Sequence, residues 1–437
     1  MRENLVVGIL KERSEKGEKR APLTPLDVRR LVKKGIEVEV ESSETRVFSD
    51  GEYKKTGAAV LDKFKRAVLL LGIKEPKLGT VYKDKIYMVF SHTIKGQPGN
   101  MLLLKEFIEK GVTLIDYEKI TDSDDRRLVY FGKFAGICGL IDSLYYLGRK
   151  LQWQGIRNPF QSLRPAYHYG SLKEIIRLMP RISKKIKRQG FDRKISPFII
   201  GITGHGNVSG GIQKILKFLN PVEIRPGEIE YLVARPAKTV DKNIYKVVFP
   251  RGKRYRYKDG REFSSERYLR EPKKFESNMD IYLPYLNLLI QASYWDSRYP
   301  RLVTKTMINR LSGEKRFRLK FIGDISCDLN GGIELTYKAA VPENPVFTYN
   351  PGKKKFVDGY KEDGITILAI DNLPAELPGD SSREFGGLIG DYVYQIAARG
   401  AKDITKDAVL PKEIRQAVIT QGGGLTSGFS YLKRELV

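Results

Sequence analysis

Phe198-Ile-Ile-Gly201-Ile-Thr-Gly204-His205-Gly206-Asn207-Val208-Ser209-Gly210-Gly211 is the stretch on which the reading of this chain turns. The apolar run from Phe198 to Ile202 is too short for a surface helix and reads as a buried strand. Beyond the glycines, Ile212, Ile215, Leu216 and Leu219 fall at i, i+3, i+4 and i+7, one face of a helix. The glycines therefore occupy a strand-to-helix turn. There Gly204 permits the bend, Gly206 lets backbone approach a pyrophosphate, and the first helical amides, around Asn207 and Val208, hold phosphate oxygens. A third glycine would complete the pattern at position 209, where this chain has Ser209. The placement between strand and helix carries the reading, against the alternative of a merely structural turn. The next strand, Val222-Glu223-Ile224, ends where a ribose-reading side chain is expected, and Arg225 follows. An arginine there pairs with a 2′-phosphate, which favours NADP (NADPH) over NAD, while Glu223 keeps NAD open. His205 lies inside the turn and is grouped with the cofactor-binding residues.

Upstream, Leu5–Ile9, Ala67–Ile73, Ile86–Phe90 and Val112–Ile115 are further short apolar runs, separated by helical patterns. Thr24-Pro25-Leu26-Asp27 reads as an N-cap, a first-turn proline and a capping carboxylate, with Gly35 closing that helix. Another helix is expected from Asn100 to Gly111. This rhythm predicts an α/β fold with parallel sheets covered on both faces. A helix from about Phe131 to Gln154, apolar and glycine-bearing on several faces, is expected to be buried between two domains. A polar segment rich in Lys and Arg follows it. Two more strands are expected, at Lys320–Ile325 and Ile365–Ile370, and a charged, aromatic hairpin insertion between Tyr245 and Ser277.

At 437 residues the chain is too long for one ordinary core. No apolar run approaches the roughly 18 residues of a membrane span, and Leu5–Ile9 is too short for a secretory signal. Two cysteines without CxxC spacing read as reduced core thiols in a cytoplasm. Subtracting 52 acidic from 78 basic residues gives +26, which would draw polyanions. The basic residues are interleaved with acidic ones, so a solvated surface serving small anions is preferred over nucleic-acid binding. Oligomeric state stays open, with a homo-oligomer one option. The three histidines lack partners at ligand spacing, and no metal is expected.

In a parallel sheet the carboxyl ends of strands share one crevice, so Lys74 and His92, each just past a strand, can converge. Both suit proton transfer at a carbonyl or imine, although alone each is more often a solvated strand end or a structural side chain. Arg20 would grip a substrate carboxylate with its fork.

Taken in order, Arg20-Ala-Pro-Leu-Thr-Pro25, Leu71-Gly-Ile-Lys74, Phe90-Ser-His92-Thr-Ile-Lys95, Leu114-Ile-Asp-Tyr-Glu118-Lys119, Phe134-Ala-Gly-Ile-Cys-Gly139, Gly204-His-Gly-Asn-Val-Ser209, Asp324-Ile-Ser-Cys-Asp328 and Asp371-Asn372-Leu-Pro-Ala375 resemble the lysine-ketoglutarate reductase family. The likeness to alanine dehydrogenase and fungal saccharopine dehydrogenase is more distant. The resemblance implies two Rossmann-like domains flanking a cleft, a catalytic domain of residues 1–135 plus 380–437 and a dinucleotide domain of 136–379. It implies an NADP-dependent oxidoreductase of lysine degradation, acting on a CH–NH bond, that condenses L-lysine with 2-oxoglutarate to saccharopine. Lys74 and His92 match the acid–base pair, Arg20 a carboxylate-binding arginine, Glu75 and Glu118 acidic neighbours, and Asp328 and Asn372 positions near the nicotinamide. The chain stops at Val437, which implies condensation without saccharopine cleavage. An NAD-dependent, lysine-forming saccharopine dehydrogenase or an alanine dehydrogenase is the alternative. The basic stretch Arg251 to Arg261 and His205 have no counterpart in the resemblance.

Overall fold

A computed structural model of the chain describes residues 4–13, 17–234, 241–400, 404–407 and 409–436. The chain divides into two compact units, residues 1–131 with 378–437, and residues 132–377. The first unit begins with strands β1 (Val7–Ile9), β2 (Val38–Glu41), β3 (Ala59–Leu61), β4 (Leu69–Leu71), β5 (Ile86–Val89) and β6 (Thr113–Asp116). The second holds β7 (Phe198–Thr203), β8 (Val222–Glu223), β9 (Ile244–Phe249), β10 (Tyr255–Tyr257), β11 (Phe275–Ser277), β12 (Leu288–Gln291), β13 (Phe321–Asp324), β14 (Val346–Asn350), β15 (Lys355–Asp358) and β16 (Ile365–Leu368). The chain then returns to the first unit for β17 (Val418–Gln421) and β18 (Gly424–Leu425).

In the first unit these strands form one eight-stranded sheet, ordered β18-β17-β6-β5-β4-β1-β2-β3. It is parallel from β6 to β3, and β17 closes it antiparallel to β6. The alternation of strand side chains explains the apolar runs. Leu69 and Leu71 face a core shared with Val28, Leu31, Phe385 and Ile389, while Leu70 faces Leu104 and Phe107 on the other side. Both faces are covered, so each position of the run is apolar. The helix Pro25–Lys33 starts on the anticipated box, with the Thr24 amide donating to Asp27 at 3.0 Å and the Asp27 amide to Thr24 Oγ1 at 3.3 Å.

The second unit has its own eight-stranded sheet, β15-β14-β16-β13-β12-β7-β9-β8, mostly parallel with an antiparallel β14–β15 edge. The fold is therefore α/β with two mostly parallel sheets. The glycines of the helix Gly132–Trp153 serve packing inside this unit, which the expectation of an interdomain helix did not foresee. A Cβ on Gly136 would lie 2.0 Å from the Val208 carbonyl oxygen, and one on Gly211 would lie 2.0 Å from that of Lys133. Two helices thus meet backbone to backbone, with Gly136 and Gly211 at the points of closest approach.

The Lys- and Arg-rich segment after residue 154 contains the helix Leu172–Gln189, whose Ile175, Met179, Ile182 and Ile186 are buried. The hairpin insertion is narrower than expected. Tyr245 belongs to β9, paired in parallel with β7 inside the main sheet, and only β10 and β11 form the antiparallel hairpin.

Candidate functional site

Strand register places the side chains of the first unit. Because Ile9 pairs with Leu71, and Leu71 with Met88, positions equally far beyond these strands fall side by side. Counting on, Glu12 stands opposite Lys74, and Glu75 opposite His92. The second pair is joined, with His92 Nδ1 2.8 Å from Glu75 Oε2. Glu75 is buried and His92 half-buried. His92 has φ of +52°, a left-handed conformation that costs energy outside glycine and concentrates at functional sites. Its carbonyl accepts from Asn100 Nδ2 at 3.0 Å, which helps to hold the conformation. Lys74 and Glu75 line a cavity of about 320 Å³ together with Glu12, Arg13 and Tyr82. Glu75 thus links the cavity wall to the histidine.

Beneath this edge, buried Asp116 accepts the Ser91 amide at 3.1 Å, a short hydrogen bond from the Ser91 hydroxyl, and the Glu118 amide at 2.7 Å. Burial still pushes its carboxyl up to about 6. The network fixes the turn that carries His92.

Two expected substrate contacts are otherwise engaged. The fork of Arg20 closes on Glu18, at 2.8 Å from Nε and 2.7 Å from Nη2, and its guanidinium lies 4.1 Å from the centre of the Phe131 ring. Arg20 and Glu18 are both buried, and in this structure Glu18 takes that edge of the guanidinium. Glu118 pairs with Arg127 at 2.8 Å.

In the second unit Gly204 has φ of +84°, and a Cβ there would lie 3.0 Å from the Ala292 carbonyl oxygen. At Gly206 a Cβ would meet only open space, so its bareness leaves room for a ligand. The helix Asn207–Leu216 starts directly after it, with no side chain capping its first amides. Orphan amides at a helix start, reached across bare backbone, fit a pyrophosphate. The sheet order corrects one premise. The strand beside β7 is β9, ending at Phe249, whereas β8 lies one place further out. Arg225 is therefore two strands from the glycine turn, yet it lines a cavity of about 530 Å³ with His205, Glu223 and Pro250. Glu223 is ion-paired to Lys246 at 2.8 Å. Asp328 and Asn372 follow the neighbouring parallel strands β13 and β16 at the same sheet edge, both half-buried.

Glu12 was missed by sequence reasoning. It accepts the amides of Ile73, in a short bond, and Lys74, at 3.2 Å. Register alone could have found it, since both residues stand three places past paired strands. Among the described residues no three His, Cys, Asp or Glu side chains converge as a metal site, and no helix is long and apolar enough to cross a membrane.

Residues 8–138 match the family model "Alanine dehydrogenase/PNT, N-terminal domain". Alpha-aminoadipic semialdehyde synthase of Arabidopsis thaliana is 32% identical over 99% of this chain and 41% of its own length. The chain thus spans less than half of that relative. Saccharopine dehydrogenase [NAD(+), L-lysine-forming] of Emericella nidulans is 24% identical over 91% of this chain and 94% of its own. Among solved structures an L-alanine dehydrogenase superposes with a TM-score of 0.63 at 18% identity, covering 99% of this chain and all of the other, a likeness of fold. With the strand-end pair and the glycine turn already in view, the chain is similar over residues 8–138 to the alanine dehydrogenase/PNT N-terminal domain and, over nearly its whole length, to part of alpha-aminoadipic semialdehyde synthase.

Proposed function

We propose that the chain is an oxidoreductase that condenses L-lysine with 2-oxoglutarate, using NADPH, to give saccharopine. The observation that carries this reading is the Glu75–His92 pair beside the cavity lined by Lys74. The ε-amine of lysine attacks the keto carbon, the carbinolamine loses water, and the resulting imine is reduced. Lys74 exchanges a proton with the amine, and His92 protonates the departing carbinolamine oxygen. Glu75 at Nδ1 selects the histidine tautomer and turns Nε2 toward the substrate. Gly204, Gly206 and the amides at Asn207 and Val208 would hold the pyrophosphate, Arg225 and His205 the 2′-phosphate, and Asp328 and Asn372 the nicotinamide end. When bound, the cofactor supplies the hydride that reduces the imine carbon.

The test is loss of reduced-nicotinamide absorbance with lysine plus 2-oxoglutarate, against either substrate alone, with both cofactors. Consumption of NADPH no faster with the pair than with one substrate removes the assignment. A second reading, NAD-dependent saccharopine cleavage to lysine, draws support from the fungal relative's coverage of nearly the whole chain. Faster saccharopine oxidation with NAD than with NADP would favour it.

A further inference from the structure

Glu12 and Lys74 stand at equal distance past the paired strands β1 and β4, and the glutamate side chain bridges them. Its two oxygens take the main-chain amides of Ile73 and Lys74, donors that lie past the last strand pairing of β4. One carboxyl therefore fixes the direction in which the chain leaves β4, and with it the root of the Lys74 side chain. The carboxyl also faces the cavity that Lys74 lines, so its charge is felt there.

The groups around it define that charge. Glu18 and Arg20 approach from the following loop, but their mutual fork consumes the guanidinium. Tyr117, buried at the end of β6, feels Glu12 most among charged neighbours. Lys11, Arg13, Lys74 and Lys77, with Glu41 and Glu75, line the cavity. Burial, reinforced by Glu18, pushes the Glu12 carboxyl up to about 8, so it is largely protonated at neutral pH.

We propose that Glu12 is a positioning residue for Lys74 which, as a neutral acid, admits a dicarboxylate to the cavity and, once ionised, repels it. This deepens the reading of Lys74 given above and rests on it. A keto diacid brings two negative charges to a cavity already holding Glu41 and Glu75, and a third carboxylate on the Lys74 turn would oppose it.

The experiment measures binding of glutarate, a diacid with no keto group to react, by calorimetry at pH 6.5 and pH 9, for the native chain, Glu12→Gln and Glu12→Asp. With a carboxyl titrating near 8, the native Kd is expected to rise about tenfold between the two values. The rise should vanish in Glu12→Gln and persist in Glu12→Asp, which keeps an ionisable group. In parallel, the KM for 2-oxoglutarate should rise over the same interval in the native chain and in Glu12→Asp but not in Glu12→Gln. Equal Kd at both pH values, no glutarate binding, or the same rise in Glu12→Gln overturns the proposal. An infrared carboxylic-acid band present at pH 6.5, lost by pH 9 and missing in Glu12→Gln reads the Glu12 proton without turnover. If that band and the glutarate data agree with expectation while lysine and 2-oxoglutarate consume no NADPH, the catalytic reading fails and the Glu12 gate stands. A band already absent at pH 6.5 overturns the gate whatever the activity.

Discussion

The left-handed backbone of His92 and the carboxylate at its Nδ1 describe a side chain held in one pose by its neighbours. Replacing Lys74 by Met or His92 by Gln is expected to lower the chemical rate by about 10²-fold or more with NADPH binding nearly intact, read by single-turnover kinetics and cofactor titration. Glu75→Ala should cost roughly 10–100-fold through loss of histidine orientation. Native turnover in the first two variants would mean that other groups move the protons. Arg225→Ala should weaken NADPH much more than NADH, and equal losses would relocate the 2′-phosphate contact. The positions of Lys74 and His92 past strand ends were legible because each follows an apolar run that reads as a buried strand, and parallel strands share their exits. Glu12 was not legible, because Lys11-Glu12-Arg13 looks like a solvated charge cluster until register sets it against residue 74. Arg20 was read as available because sequence does not reveal that Glu18, two residues away, fills its fork.

Among elements, the contact between the helices Gly132–Trp153 and Asn207–Leu216 sets the position of the glycine turn. Gly211→Ala would drive a methyl into the Lys133 carbonyl and is expected to destabilise by about 1–3 kcal/mol, seen as a lower Tm. Gly210→Ala, one residue earlier on an open face, should leave Tm unchanged or raise it by a helix-propensity gain of about 0.5–1 kcal/mol. A matched loss in both would show that backbone freedom, and not close packing, selects glycine here. The strand beside the turn was misread because β9 sets half-buried Tyr245 and Lys246 between buried Ile244 and Val247 near the sheet margin, which reads as a surface hairpin. The segment after residue 154 was read only as rich in Lys and Arg, and its helix Leu172–Gln189 buries Ile175, Met179, Ile182 and Ile186 beneath a basic face.

For the molecule as a whole, the surplus of +26 sits on a surface where other basic side chains are neutralised in ion pairs such as Arg66–Glu37 at 2.6 Å and Arg298–Asp296 at 2.8 Å. Gel-shift titration is expected to show no duplex or single-strand binding at about 50 mM salt, and a steeply salt-dependent shift would restore the nucleic-acid alternative. Stability should depend on pH through buried carboxyls. Glu12 is raised to about 8, and Asp116 and Asp324 to about 6, each chiefly by burial. Between the ordinary carboxylate range near ~4 and these values the folded chain binds more protons than the unfolded one, so stability falls as pH rises through that window. Thermal melts from pH 5 to 9 should show the decline, and Glu12→Gln should flatten its upper part. A Tm that climbs over this range would contradict the burial of these acids.

The closing strand β17 reaches across 308 residues to bond Val112 through the Thr420 hydroxyl, and Ser382 reaches back 361 residues to the Ala21 amide. A ribosome adding roughly 5–20 residues per second needs on the order of 15–60 s to supply that interval. Throughout it the nascent β6 has an uncovered flank, a template for pairing with any neighbouring polypeptide. The yield of soluble protein during overexpression should therefore respond to chaperone supply and to translation speed, and the middle unit should mature before the one that begins the chain.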